Sequence, residues 1–265
     1  MRHFPDGESL VRARAAGARE AIVVRSLDDP DAKLVQVLLA ADALRRSGAR
    51  RVILVAPYLP YMRQDRTFRS GEPVSQRVVA RLLGGAFDRV LTVEAHLHRT
   101  KRLADVFPCP ARSLSAAPLL ARWCLAHPEV RLVVGPDEES ARWVRGVARD
   151  AGLAWAVCRK ERLGDHRVRV EVPELPDLPR SARALLVDDI VSSGGTLAAA
   201  ARALRRRGVR HVDALVVHAL FARGALRRIR GAGIERLVSC DTVRHATNRI
   251  GVAELLAGAL ARAAG

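Results

Sequence analysis

Residues 185–197, L-L-V-D-D-I-V-S-S-G-G-T-L, join a strand to a helix through a run of small residues. Leu185, Leu186 and Val187 are apolar at consecutive positions, as in a strand covered on both faces. Asp188 and Asp189 follow, and Ser192, Ser193, Gly194, Gly195 and Thr196 then open a helical pattern, A-A-A-A-R-A-L-R-R-R-G. Side chains this small let backbone N–H groups approach an anion, and a helix N-terminus adds partial positive charge. The hydroxyls of Ser192, Ser193 and Thr196 can donate to phosphate oxygens. Two acids beside an anion cradle are repulsive if phosphate alone is bound. They make sense if sugar hydroxyls or a hydrated divalent cation are held as well. The chain has no G-K-[ST], so this is not a Walker-type loop.

Outward from this stretch, strand-like and helical patterns alternate. Apolar, β-branched runs occur at 21–26, 51–57, 89–95, 131–135, 154–158, 184–190, 212–220 and 236–240, with period-3.6 segments such as D-A-K-L-V-Q-V-L-L-A-A-D-A-L-R-R between most of them. Several helices are expected to stop at glycine, namely Gly48, Gly84, Gly208 and Gly231. The pattern predicts α/β architecture with mainly parallel sheets flanked by helices. Two strand groups imply two domains joined near 108–116, taken as 1–112 and 113–265, with the last helix expected to pack back on the first. In such sheets ligands bind beyond the carboxyl ends of strands, so residues that follow each apolar run are the functional candidates.

Composition narrows the classes further. Hydrophobic residues make up 49% of the 265-residue chain and aromatics only 4%, so the core must be built from Ala, Val and Leu. No apolar run approaches the ~20 residues needed to cross a bilayer, and M-R-H-F-P-D-G-E has no signal-peptide pattern, so a cytoplasmic protein without a membrane partner is expected. Cys109, Cys124, Cys158 and Cys240 form no C-x-x-C pair, which argues against zinc or redox motifs. The net charge of +17 is carried almost wholly by arginines dispersed over helices, many near helix C-termini. They are not interleaved with aromatics, so nucleic acid is not the expected partner. Only three of the 45 basic residues are lysines, Lys33, Lys101 and Lys160, and Lys160 stands in a short polar stretch just after an apolar run.

The 185–197 stretch resembles the phosphoribosyl pyrophosphate (PRPP) loop of the type I phosphoribosyltransferase fold. Further segments narrow the resemblance to ribose-phosphate pyrophosphokinases. These are F-P-D-G-E at 4–8, P-Y-L-P-Y-M-R-Q-D-R at 57–66, T-V-E-A-H at 92–96, V-G-P-D at 134–137 and K-E-R at 160–162, in family order over nearly the whole chain. The resemblance implies two phosphoribosyltransferase-like domains. It also implies transfer of the diphosphoryl group of ATP to the C1 hydroxyl of ribose 5-phosphate, giving PRPP and AMP. Lys160 and Arg162 would be catalytic. Phe4, Asp6, Gly7, Glu8, Arg63 and Gln64 would bind ATP. Arg162, Asp188, Asp189 and residues Ser192, Ser193, Gly194, Gly195 and Thr196 would bind ribose 5-phosphate. His96 and Asp137 would bind Mg²⁺, while His98 reads as a surface residue. The family also implies a dimer-based homo-oligomer, up to a hexamer, with Asp6 and Glu8 serving ATP across a subunit interface.

Some positions depart from the family pattern. The family carries a first strand and helix ahead of F-P-D-G-E, which this chain is expected to lack. Glu94 stands where the family has Asp, and Glu138 and Glu139 stand where it has small residues that approach pyrophosphate. Two carboxylates there would repel an anion. A catalytically impaired regulatory relative, or a transferase that consumes PRPP, therefore remain as alternatives at this point.

Overall fold

A computed structural model describes residues 2–162 and 168–262, with the side chains of 161, 162, 168 and 169 outside the description. The chain divides into two compact units, one formed by residues up to Leu114 together with the C-terminal helix from Ala253, the other by Ser115–Val252.

The first unit opens with a hairpin, β1 (Arg2–His3) and β2 (Ser9–Leu10), paired antiparallel with Arg2 opposite Leu10. A four-stranded parallel sheet follows in the order β3 (Glu20–Val24), β4 (Arg51–Ala56), β5 (Arg89–Val93), β6 (Ala111–Leu114). β6 straddles the 112/113 boundary expected from sequence, yet it pairs with β5 and so lies in the first sheet. Helix α1 (Pro30–Arg46) starts on a proline, whose fixed φ suits the first helical turn, and ends on Arg45 and Arg46, which complement the dipole. Helix α2 (Ser75–Ala86) corrects one expectation, since Gly84 lies inside it rather than ending it. A Cβ at Gly84 would sit 2.5 Å from Cδ of Pro108, so glycine there permits close packing rather than a helix stop. Leu34, Val52, Leu54, Leu83, Phe87 and Phe107 belong to this unit's core.

The second unit holds α3 (Ala117–Leu125), β7 (Val130–Gly135), α4 (Ala141–Ala151), β8 (Ala154–Val157), the antiparallel hairpin of β9 (Arg159–Arg162) and β10 (Val168–Glu171), β11 (Arg183–Val191), α5 (Gly195–Arg206), β12 (His211–Ala219), α6 (Ala225–Gly231), β13 (Ile234–Cys240) and β14 (Asn248–Ile250). Its main sheet runs β14-β13-β12-β11-β7-β8 with every neighbour parallel. The chain moves outward from β7 to β8, returns to lay β11 on the other side of β7, and then moves outward the opposite way. The switch point of this sheet therefore lies between β7 and β11, the place where open α/β sheets generally bind ligands beyond the strands' carboxyl ends. Leu186, Leu197, Leu204, Val216 and Ile229 are among the residues of this unit's core. No helix among the described residues is long and apolar enough to cross a membrane.

Candidate active site

The sequence around the switch point explains its shape. β7 ends at Gly135, where a Cβ would collide with Oγ of Ser140. Pro136 follows, then Asp137 in extended backbone, and Ser140 Oγ donates to the Asp137 carbonyl at 2.5 Å, closing a short 3₁₀ turn over Glu138–Ser140. β11 ends in Asp188–Val191, and Gly194 adopts a left-handed conformation (φ +71°) that starts α5 at Gly195. β8 leads through buried Cys158 into β9, which carries Lys160.

These elements bring several expected residues together. Lys160 Nζ donates to Oδ2 of Asp137 at 2.5 Å and to Oγ1 of Thr196 at 3.1 Å. One ammonium thus links the end of β7 to the small-residue loop after β11. Asp188 is half-buried and Asp189 is buried. Burial, then the neighbouring Asp189 and Asp137 carboxylates, push the Asp188 carboxyl well above the ordinary carboxylate range. Carboxyl groups are therefore crowded where β7 and β11 end. In the loop, Ser192 is half-buried, Ser193 exposed and Gly194 buried, and the Gly195 N–H lies 3.4 Å from Oγ of Ser193. Arg162 ends β9, but its side chain, like residues 163–165 of the K-E-R-L-G-D stretch, lies outside the described residues.

Glu138 answers part of the objection raised by the acidic pair. It is exposed, 4.0 Å from Arg159 Nε, and lines a cleft beside β8 with Arg145 and Trp155. Its charge is partly balanced there by arginines.

In the first unit, the β1–β2 turn is closed by Phe4 N–H to the Glu8 carbonyl (2.8 Å) and Gly7 N–H to the Phe4 carbonyl (3.0 Å), and the Glu8 N–H donates to Asp6 Oδ1 (3.1 Å). Gly7 takes φ +94°, which favours glycine. Phe4, Asp6 and Glu8 are all exposed on this tip, with the Arg2 guanidinium 5.3 Å from the Phe4 ring. Arg63 is exposed, whereas Gln64 accepts from Ser75 Oγ at the start of α2. Asp65 anchors the same loop, accepting from Arg99 through both its backbone N–H (3.0 Å) and its guanidinium (2.8 Å). Burial alone would raise the Asp65 carboxyl, but the bonds from Arg99 hold it below its ordinary value.

Glu94 is buried at the end of β5 with φ +37°, a left-handed conformation uncommon for a non-glycine residue, and it turns the chain into the segment carrying His96 and His98. Nε2 of His96 lies 3.0 Å from Nε2 of His98, with the rings edge to face. His98, read from sequence as a surface residue, is exposed as expected but is hydrogen-bonded through Nε2 to His96. Sequence reasoning missed this pairing, although the H-x-H spacing at a strand end was a usable signal. It also missed Arg99, for which no local signal existed.

Residues 1–86 match the family model described as the N-terminal domain of ribose phosphate pyrophosphokinase, and residues 114–253 match the phosphoribosyl transferase domain. The chain is 37% identical over 265 residues to the ribose-phosphate pyrophosphokinase of Methanopyrus kandleri, covering 99% of this chain and 89% of that one. Ribose-phosphate pyrophosphokinase 2 of Archaeoglobus fulgidus is 36% identical over 257 residues, covering 97% and 89%. Among solved structures, the phosphoribosylpyrophosphate synthetase of Mycobacterium smegmatis is similar with a TM-score of 0.79 at 26% identity, covering 99% of this chain and 88% of that one. The chain belongs to the ribose-phosphate pyrophosphokinase family.

Proposed function

We infer that this protein is a ribose-phosphate diphosphokinase, which moves the β,γ-diphosphoryl group of ATP to the C1 hydroxyl of ribose 5-phosphate and releases AMP. The observation that carries this reading is the junction, at one switch point, of Lys160, Asp137 and the 192–196 loop. It occurs in a chain related over nearly its full length to enzymes of that name. In the reaction the C1 oxygen bonds to the β-phosphorus, the bond from that phosphorus to the oxygen bridging to AMP breaks, and the C1 hydroxyl proton is lost. Such a transfer needs positioning and charge stabilisation more than covalent help.

Each residue then has a role. The ammonium of Lys160, a compact charge on a flexible stem, follows the moving phosphoryl oxygens, and Arg162 holds phosphate oxygens beside it. The N–H groups and hydroxyls of 192–196 cradle the 5-phosphate, and Asp188 and Asp189 accept from ribose hydroxyls. Phe4, Asp6, Gly7 and Glu8 meet the adenine, while Arg63 and Gln64 hold ATP phosphate and ribose. The donor set fits Mg²⁺, since crowded carboxylates at Asp137 and Asp188 are relieved by a hard cation. Asp137 and His96 would each bind Mg²⁺, directly or through water. Bound there, Mg²⁺ supplies neutralisation of phosphate charge. The working form is a homo-oligomer in which the hairpin tip of one subunit serves the ATP of its neighbour, and the reaction is assigned to the cytoplasm.

ATP labelled at the β-phosphorus tests the position of cleavage. The label is expected in the sugar product, with AMP unlabelled. Label retained in ADP would mean single phosphoryl transfer and would overturn the assignment.

A further inference from the structure

The 192–196 loop is gripped from outside the site by the segment that leads into and through α6. The Ala222 N–H donates to the Ser192 carbonyl at 3.0 Å, and Nη1 of Arg228 donates to the Ser193 carbonyl at 2.6 Å. Two consecutive peptide oxygens are thus turned toward α6. In a trans peptide the C=O and N–H point in opposite directions, and no described peptide is cis. Pinning these oxygens therefore aims the N–H groups of Ser193 and Gly194 away from α6. Gly194 fixes the same arrangement sterically. Its Cβ would lie 2.8 Å from Cγ1 of Ile229 and 3.3 Å from the Ala225 carbonyl, so the loop rests directly on the helix.

We propose that Arg228 is a positioning residue for the sugar phosphate, locking the peptide plane whose Gly194 N–H faces the 5-phosphate. The proposal rests on the reading of 192–196 as the phosphate cradle. Arg228 acts through the backbone and does not touch the ligand. A charge-assisted bond to the Ser193 oxygen also polarises that peptide, which makes the Gly194 N–H a stronger donor. A solvated arginine on the exposed face of α6 would do neither. Arg227, exposed and one residue away, carries the same charge without a bond to the loop in this structure and serves as the control.

The test is calorimetric titration of ribose 5-phosphate, without ATP, into wild type, Arg228→Ala, Arg228→Lys and Arg227→Ala, with KM for ribose 5-phosphate and for ATP measured on each. Loss of the charge-assisted bond in Arg228→Ala is expected to weaken ribose 5-phosphate binding, and raise its KM, by roughly three- to tenfold. The KM for ATP and the melting temperature should not change, Arg228→Lys should recover part of the affinity, and Arg227→Ala should bind as wild type does. Equal affinity in Arg228→Ala and wild type would overturn the proposal. So would equal weakening by Arg227→Ala, which would indicate bulk charge, or a matched rise in both KM values with a lower melting temperature in both Arg228 variants, which would indicate a structural role. A wild type that binds ribose 5-phosphate but forms no product would remove the functional assignment and leave the Arg228 comparison decisive. A wild type that does not bind ribose 5-phosphate would overturn both.

Discussion

Lys160, Asp137 and Thr196 come from different elements and are joined through the Lys160 ammonium, with the Asp188 carboxyl crowded near Asp137. The ammonium of Lys160 balances a region where Asp188 is already pushed up by burial and by its neighbours Asp189 and Asp137. A carboxyl raised in the folded state contributes stability that is fully present below its unfolded value and is lost as pH rises through its folded value. Asp188→Asn, which cannot ionise, is therefore expected to melt at a higher temperature than wild type at pH 7–8. The difference should shrink toward the ordinary carboxylate range, and ribose 5-phosphate binding should be lost. Melting curves across pH with and without the sugar phosphate check both signs. Reactivity of the thiols follows from burial too. Burial pushes Cys124 up to about 11 and Cys158 up to about 12, the latter with help from Asp137. Neither is expected to react with iodoacetamide in the native protein at pH 8, and mass spectrometry of the labelled protein would report it. Site residues with rare chemistry or motif spacing, such as Lys160 among 45 basic residues, were legible in the sequence. Arg228 was not, because it is one of 42 arginines (45 basic residues less three lysines) and its role is set only by the approach of α6 to the loop.

At the scale of elements, strands read well from the sequence because parallel strands inside a sheet leave continuous apolar runs, on which β4, β5, β7, β11, β12 and β13 fall, and the sheet-edge strands β3 and β8 fall on such runs as well. β6 and β14 were missed, since A-R-S-L and N-R-I are short and interrupted by polar residues, unlike the equally short apolar A-W-A-V of β8. Helix ends read less well, since a glycine can mark a stop or a close contact. Gly84 separates the two possibilities. Alanine in a helix interior ordinarily stabilises by up to about 1 kcal/mol relative to glycine. Here its Cβ would meet the Pro108 ring at 2.5 Å, so Gly84→Ala is expected instead to destabilise by about 1–3 kcal/mol, measurable by urea unfolding. At the amino ends of the second sheet's strands, away from the site, Asp213 on β12 is fully buried and accepts from Arg183 on β11 (2.6 and 2.7 Å) and Arg236 on β13 (2.8 Å). Burial alone would raise this carboxyl, but the two guanidiniums hold it below its ordinary value. Its stabilisation is present above the unfolded carboxylate value and is lost as pH falls through the lowered one. Asp213→Ala leaves two partly buried arginines without that partner and is expected to cost about 3–5 kcal/mol at pH 7, with the KM for ribose 5-phosphate unchanged.

The whole molecule carries a net charge of +17, yet its basic residues are distributed over helix ends, as at Arg45 and Arg46 of α1, Arg205 and Arg206 of α5, and Arg228 and Arg230 of α6. Charge placed this way complements helix dipoles, and a net positive protein attracts phosphorylated metabolites. The division into two α/β units was legible from two groups of strand-like runs, and membership in the family rests on segments spread over both. The claim that joins these scales is that the switch point, with Lys160 at its centre, performs diphosphoryl transfer. Its most direct test incubates the purified protein with ATP, Mg²⁺ and ribose 5-phosphate and quantifies AMP and PRPP, with Lys160→Ala run in parallel. Equimolar AMP and PRPP are expected from wild type, with turnover reduced by about 10²–10³ in the variant, as when a single charge-stabilising donor is removed. A folded wild type that binds ribose 5-phosphate but forms neither product, or a Lys160→Ala variant as fast as wild type, would contradict it.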